Sequence, residues 1–346
     1  MRLLLVCPGA SWATADVHTG LLAGLKAGGH EVQEYALGAR LGPSRVWLEY
    51  LWRKQVRERG PLKDLKPTPA DVQFHAGSAL LERALRFEPD WVVVVCAAYL
   101  HPDVLILCRR AGLRLAAVFT ESPYDDREQA SVAPLFDVVF TNERMSVPVL
   151  RQANPKTHYL PAAYDPAAHG PEAAPLTGRA PAHDVVFVGT GFASREELFS
   201  CVDWAGIDLG IYGAWGQVTA GHPLFPYVRS GLVDNAHAGA LYRAAKVGLN
   251  LYRETGGAPA ASLNPRAYEL AADGVFTISQ PRAEVEERFK GRVPIFTEPE
   301  ELGALIRGYL GQPRARCAMG AALPRVVRED TYHHRAAQLV ALLTTS

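Results

Sequence analysis

The chain has 346 residues, beyond the ~100–200 of an ordinary domain, so two domains are the first expectation. Its 36 Lys+Arg balance 36 Asp+Glu and 48% of its residues are apolar, which excludes intrinsic disorder and argues against a broad basic face built to follow nucleic acid. Cys7, Cys96, Cys108, Cys201 and Cys317 stand singly, without Cys-x-x-Cys spacing or a nearby histidine pair. They predict buried thiols in a reducing compartment rather than a disulfide framework or a zinc site. The apolar run 3–7 is too short for a signal core and is broken by Pro8-Gly9, and the longest later run, 91–100, is about half a bilayer span. A cytoplasmic chain without a membrane span is therefore expected.

In chain order, the run 3–7 predicts a buried strand, 17–26 a helix by its spacing, and 31–36 a second strand after Gly28-Gly29-His30: a βαβ unit. Residues 91–96 are β-rich on consecutive positions, as in a central parallel strand covered on both faces. Strands follow at 114–120 and 137–141, with helices at 46–59, 71–87 and 104–111, the alternation of a doubly wound α/β sheet. From 161 to 182 proline and alanine dominate and apolar periodicity is lost, so the domain boundary is placed there, with 166–183 as linker. A second alternation follows: strands 184–188, 207–212, 247–251 and 275–278, and helices 194–204, 238–245, 264–272, 284–289, 300–310 and 314–328. A last helix at 332–343 closes the chain.

Several segments carry chemistry. Gly189-Thr190-Gly191 lies between a predicted strand and helix, where glycine admits a phosphate and a helix N-terminus favours anions. A dinucleotide fingerprint is not completed: the third glycine position is Ser194, and the next strand ends on Tyr212-Gly213 instead of an acidic residue. Nicotinamide chemistry is thus not expected. Arg195, one turn into the helix, is placed to meet a diphosphate, or simply to pair with Glu196 at the surface. Asn264, Arg266 and Glu269 cluster at a helix start whose Pro265 suits the first helical position and whose stop is Gly274. Glu269 accepts ribose hydroxyls in one reading and satisfies helix amides in the other. Acceptor candidates are drawn from loops after the N-terminal strands, 8–18, 97–101, 121–126 and 142–144. There His101, Asp125 and Glu121 are candidate proton acceptors for a hydroxyl, with cap and turn roles as the alternatives. Trp47, Leu48, Leu51 and Trp52 are expected to pack, under a basic surface of Arg53, Lys54, Arg57 and Arg59. No Asp-x-Asp occurs, so metal-independent chemistry is expected.

Residues 264–276, the preceding 246–251 and the ending Asp330-Thr331-Tyr332-His333-His334-Arg335 together resemble the C-terminal half of CgeB-like glycosyltransferases. The resemblance covers roughly 184–345. It implies a GT-B-like architecture of two facing Rossmann-like domains with a donor and acceptor cleft between them. Residues 1–165 would bind the acceptor, 184–328 the nucleotide sugar, and 329–346 would return toward the N-domain. It implies a glycosyltransferase, hexosyl or pentosyl, with a nucleoside diphosphate sugar as co-substrate, a UDP-sugar favoured, and no other cofactor. Glu269 matches the carboxylate that holds the donor ribose, and 189–191 the loop near the diphosphate. Gly189, Gly191, Arg195, Asn264, Arg266 and Glu269 form the expected donor set. One position departs from the pattern: where retaining relatives carry a second glutamate this chain has Ala261. The acceptor is open among a small molecule, glycan, protein or DNA base. A nucleotide-sugar epimerase or hydrolase, or an inactive nucleotide-sugar-binding module, are the alternatives.

Overall fold

The computed structural model describes residues 1–8, 12–173, 180–231, 233–254 and 256–345. The chain divides into two compact units, unit 1 comprising Met1–Pro161 with Arg335–Ser346 and unit 2 comprising Ala162–His334.

Unit 1 runs β1 (Arg2–Val6), α1 (Trp12–Ala27), β2 (Glu31–Tyr35), α2 (Leu37–Arg57), α3 (Pro69–Gly77), α4 (Leu80–Phe87), β3 (Trp91–Val95), α5 (Pro102–Arg110), β4 (Leu115–Phe119), α6 (Asp126–Val132), β5 (Val138–Thr141), α7 (Val147–Ala153) and β6 (Thr157–Tyr159). The six strands form a parallel sheet in the order β2-β1-β3-β4-β5-β6. All five residues of β3 are buried, which is why Trp91-Val92-Val93-Val94-Val95 shows no polar alternation: both faces of the sheet are covered. Leu4, Val92, Val94, Ala117 and Val139 share one core with Leu80, Phe87, Leu105 and Phe136 from the helical layer.

Unit 2 contains β7 (Val185–Val188), α8 (Ala193–Cys201), β8 (Leu209–Tyr212), β9 (Val228–Ser230), α9 (Asn235–Ala244), β10 (Val247–Asn250), α10 (Pro265–Ala272), β11 (Thr277–Ser279), α11 (Ala283–Phe289), α12 (Pro299–Leu310) and α13 (Pro313–Val327). The last helix, α14 (Tyr332–Thr344), begins in unit 2 and continues into unit 1. The five strands are again parallel, in the order β11-β10-β7-β8-β9. A Cβ at Gly248 would collide with the Leu270 methyls, so glycine is what lets α10 lie directly on β10.

Each sheet reverses its winding once. In unit 1 the chain steps from β1 to β2 on one side and places β3 on the other. In unit 2 it steps from β7 through β8 to β9, then returns to set β10 on the far side of β7. The carboxyl ends of β1 and β3, and of β7 and β10, are therefore the topological switch points where open α/β sheets form their ligand crevices.

Several expectations need correction. The helix expected at 71–87 is two: Gly77 packs against Leu100 and Val104, and the Ser78 hydroxyl takes the His75 carbonyl, interrupting the helix after α3. The helix expected at 46–59 begins at Leu37. Trp47 and Leu51 are left exposed instead of packed into the core: α3 lies along α2 and covers Ser44, while Leu48 and Trp52 are half-buried. The pairs 47/51 and 48/52 lie on neighbouring lines of the helix surface, so this contact covers one and leaves the other exposed. The linker expected at 166–183 is in part folded structure: the unit boundary falls at Pro161/Ala162, and Ala168 and His169 are buried in unit 2. Residues 174–179 of that segment lie outside the described residues, as do 9–11 of the first expected acceptor loop.

Candidate functional site

At the switch point of unit 2 the loop 189–192 leaves β7 beside Leu251, the residue that follows β10. Three side chains converge on the Leu251 carbonyl. Arg195 Nη2 donates at 3.0 Å, Arg266 Nη1 at 3.0 Å and Asn264 Nδ2 at 3.4 Å. Arg195 also donates to Thr190 O at 2.8 Å, and Arg266 Nε to Val188 O at 2.7 Å. Both guanidinium groups lie over the Phe187 ring, 5.3 and 4.6 Å from its centroid. The two arginines thus tie the exit of β7 to the exit of β10. Asn264 meanwhile caps α10 by accepting from Ala267 N at 3.1 Å, the role its position before Pro265 predicts.

The glycines serve packing at this loop. Their amides are already engaged: Gly189 N donates to Tyr212 O and Gly191 N to Ala214 O, both at 2.8 Å. A Cβ at Gly189 would strike Arg266 Nη2, and one at Gly191 would lie 2.6 Å from Gln217 Nε2 and 2.7 Å from the Trp215 ring. A cradle made of these two amides, as glycine-rich loops supply elsewhere, is therefore not what the loop offers. Positive charge is what it offers, from Arg266 and from Arg253, which lies 5.2 Å over Phe192. Arg253 escaped the sequence reading because it follows a strand with no motif around it.

Glu269 lies one turn beyond Arg266 on α10 and is 9% exposed. No hydrogen bond reaches its carboxylate among the described residues. Burial pushes its pKa up, while the charges of His169 and Arg266 pull it back down and Asp273 pushes it further up. His169 is fully buried, with Nδ1 2.8 Å from Asp273 Oδ2 and Nε2 2.8 Å from Asn235 Oδ1. The Asp273 carboxylate can only accept, so Nδ1 carries a proton, and the Asn235 amide partners Nε2. Burial opposes a positive charge on the ring, yet the Asp273 bond, the fields of Glu269 and Asp273, and the Asn235 bond outweigh it and push His169 up to about 9. Asp273, at the end of α10, also accepts from Gly170 N at 2.9 Å and Arg243 Nη1 at 2.5 Å. A buried imidazolium thus stands near Glu269, supplied by a segment read as linker from its proline and alanine content.

The Ala261 loop holds a carboxylate after all, but a structural one. Glu284 of α11 is buried, and its side chain accepts from Leu263 N at 2.7 Å while its own amide donates to Ala261 O. At the far end of the resembling segment, Thr331 caps α14 and bonds His334 Nδ1 at 2.8 Å. Among the described residues no group of three or more His, Cys, Asp or Glu is placed to share a metal ion.

Unit 1 contains a cavity of about 260 Å³ at the carboxyl ends of β3 and β4, lined by Cys96, Phe119, Thr120, Glu121, Asp125 and Gln129 among others. Glu128 is a third carboxylate in the lining, and none of the described lining residues is Lys, Arg or His. Burial raises the Cys96 thiol, and the charges of Glu121 and Asp125 add to the rise against the Ala98 amide and Thr120 hydroxyl. The cavity thus has a negative field and an uncharged thiol. Asp125 and Asp126, contiguous in sequence, part in role. Asp126 accepts from the Ser146 hydroxyl at 2.6 Å, whereas Asp125 stands at the start of α6 without capping it.

The structure brings Glu121 and Asp125 together and leaves His101 out of the lining. His101 caps α5, its Nδ1 accepting from Asp103 N at 3.2 Å, and its ring meets Phe74 edge-on. His18 is buried against Glu34 at 3.1 Å. In the 142–144 loop Asn142 holds Thr120 O at 3.1 Å and Glu143 caps a short turn at Met145 N. Of the donor set, Arg195, Asn264 and Arg266 meet at one carbonyl, Gly189 and Gly191 flank them, and Glu269 follows on the same helix.

Residues 195–341 match a family model described as glycosyl transferase-like. No curated protein matches the chain. Solved structures do. The chain is similar to sucrose-phosphate synthase from Thermosynechococcus elongatus, at 13% identity and a TM-score of 0.66 over 99% of this chain and 98% of that one. It is similar to Anabaena HepE, solved in complex with UDP-glucose, at 12% identity and a TM-score of 0.65 over 100% of both chains. It is also similar to a trehalose-6-phosphate synthase, an enzyme of glycosyl transfer with retention, at 12% identity and a TM-score of 0.60 over 100% and 99%. The chain has the GT-B fold of two parallel-sheet α/β domains and carries a glycosyl transferase-like domain in its C-terminal part.

Proposed function

We propose that this chain is a CgeB-like glycosyltransferase that moves a sugar from a nucleoside diphosphate sugar, a UDP-sugar favoured, to an acceptor hydroxyl without a metal ion. The observation that carries the proposal is Glu269: a residue only 9% exposed, held near Arg266 and the His169 imidazolium, with no hydrogen bond to its carboxylate among the described residues. With no donor from within the fold, the carboxylate is open to a pair of donors from a ligand, each hydrogen bond to a charged group contributing about 1.5–3 kcal/mol. Two adjacent ribose hydroxyls supply that pair of donors.

In this reading the ribose hydroxyls donate to Glu269 and the diphosphate lies toward Arg266 and Arg253. Gly189, Gly191, Arg195 and Asn264 keep the crevice in shape. The acceptor occupies the unit 1 cavity, where Asp125 or Glu121 takes its proton and His101 has no part. The acceptor oxygen bonds to the anomeric carbon, the bond from that carbon to the diphosphate oxygen breaks, and the nucleoside diphosphate leaves with the electron pair. Fixed arginine charge stabilises the negative charge developing on the leaving group. UDP is favoured because HepE, of the same fold, was solved with UDP-glucose. Small residues around Ala261 leave the sugar pocket without the second glutamate of retaining relatives.

A panel of UDP, GDP, ADP and dTDP in a thermal-shift assay tests the donor site. A nucleotide at 100 times its Kd stabilises by ~2.7 kcal/mol, and Glu269→Gln is expected to remove the shift that the matching nucleotide gives. No shift from any of the four would sink the donor site. Fast release of sugar from donor alone would assign hydrolysis or epimerisation, and tight binding with no turnover on any acceptor would assign a binding module.

A further inference from the structure

The outer surface of α2 carries an apolar patch that nothing in unit 1 covers. Val46 is 69% exposed, Trp47 51%, Tyr50 55% and Leu51 39%, and Trp47 stacks on Tyr50 at 5.8 Å. Just beyond the helix Leu62 and Leu65 are also exposed, Leu65 by 68%. Single exposed apolar residues are ordinary, but a contiguous group of aliphatic and aromatic side chains marks a contact surface. Its setting is basic. Residues 45–66 hold seven cations, Arg45, Arg53, Lys54, Arg57, Arg59, Lys63 and Lys66, against Glu49, Glu58 and Asp64, an excess of four in a chain whose formal charge is zero. Four neighbouring apolar residues within about two turns in the middle of the helix, followed by Arg53, Lys54 and Arg57, place an apolar stretch and a cationic end on the same exposed side.

We propose that α2 and residues 62–65 form a docking surface for an anionic lipid bilayer, on which unit 1 lies without spanning it. Both halves of the surface are used by this occupant. Aliphatic and aromatic side chains enter the boundary between headgroups and acyl chains, while long basic side chains reach the phosphates. A second copy of the chain fits less well, because pairing the patch with itself brings two clusters of excess positive charge together. A nucleic acid would use the cations but leave Val46, Leu51, Leu62 and Leu65 without partners. No helix of the described residues is long and apolar enough to cross a membrane, so the contact is peripheral.

Sedimentation with vesicles of equal phosphatidylcholine and phosphatidylglycerol, compared with pure phosphatidylcholine, tests the surface on the full chain. Binding is expected to the anionic vesicles alone and to weaken from 50 to 500 mM salt as screening shortens. Trp47→Ser with Leu51→Ser, at exposed positions, should leave the melting temperature unchanged and lower partitioning at least about tenfold, as should Lys54→Glu with Arg57→Glu. Brominated acyl chains should quench tryptophan fluorescence in the parent protein, and Trp47→Phe should remove most of that quenching. Three results would each overturn the proposal: no binding to anionic vesicles, binding unaffected by both pairs of substitutions, or a dimer that the serine pair converts to monomer without any vesicle affinity. Binding of duplex DNA in place of vesicles would do the same.

Discussion

The crevice of unit 2 and the cavity of unit 1 both lie at the carboxyl ends of parallel strands, the first at the β7/β10 switch point and the second one strand beyond the β1/β3 switch point, at β3 and β4, yet their charges are opposite. Arginines dominate the first: Arg195, Arg253 and Arg266 around Phe187 and Phe192, with Glu269 as the buried acid. Carboxylates line the second, Glu121, Asp125 and Glu128, with no described cation among them. The carboxyl ends of a parallel sheet set the side on which it can bind something; the loop residues decide what. A formal charge of zero over the chain hides this division, since it averages a cationic crevice, an acidic cavity and a basic helix.

If the acidic cavity is the proton-accepting side, Glu121→Gln combined with Asp125→Asn is expected to lower transfer by about 10²–10⁴-fold. Nucleotide affinity, measured calorimetrically on the same protein, should stay within about twofold. Parallel loss of both would break the division of labour between the two units.

The complementary change is Glu269→Gln. Each hydrogen bond to a charged group contributes roughly 1.5–3 kcal/mol, so nucleotide affinity should fall about 10- to 100-fold. The melting temperature of the free protein should hold or rise, because the substitution neutralises a buried charge that has no hydrogen bond. A variant that melts much lower, with unchanged nucleotide affinity, would make Glu269 a structural residue.

His169 sharpens the comparison through pH. Its folded pKa, pushed up to about 9, lies above the ordinary 6.5. Folding therefore takes up a proton between these values, and the stabilisation from the pair with Asp273 is complete below about pH 6.5 and lost as pH rises through about 9. Urea midpoints at pH 6, 7.5 and 9 should fall in the parent protein. His169→Gln should be less stable at pH 6 and show a flatter profile. An equal slope in both proteins would remove the imidazolium from beneath Glu269.

The smallest effect belongs to His101. His101→Ala removes a cap from α5 and should destabilise by about 1 kcal/mol, with turnover unchanged per folded molecule. A drop in turnover at constant stability would restore it to the acceptor side.

The sequence shows most of the strands because they are buried on both faces: β1, β3, β4, β5, β7, β8 and β10 read as continuous apolar runs. The edges are less visible. Thr157–Tyr159 and Val228–Ser230 are three residues each at the ends of their sheets, too short and too polar to form a pattern. The helices α6 and α7, of seven residues each, are likewise too short for a repeated apolar spacing. Within the donor set, Asn264 is legible as a cap from its proline neighbour, and Arg195 and Arg266 as candidates from their positions at helix starts. That both guanidinium groups close on the Leu251 carbonyl is not legible, because β7 and β10 are sixty residues apart and meet only in the sheet.

Sequence by itself therefore determined the alternation of strand and helix, the two parallel sheets, and the helix that bears Glu269, since local apolar pattern and cap chemistry are properties of neighbouring residues. Tertiary structure decided which polar groups are free to meet a ligand. It engaged the amides of Gly189 and Gly191, left His101 out of the cavity lining, set Asp125 apart from Asp126, and brought His169 from a proline-rich stretch to the end of α10. It also decided which of two adjacent helical lines on α2 was covered, leaving Trp47 and Leu51 exposed. Burial and hydrogen-bond partnership across long separations are fixed by packing, and packing is set by the whole chain.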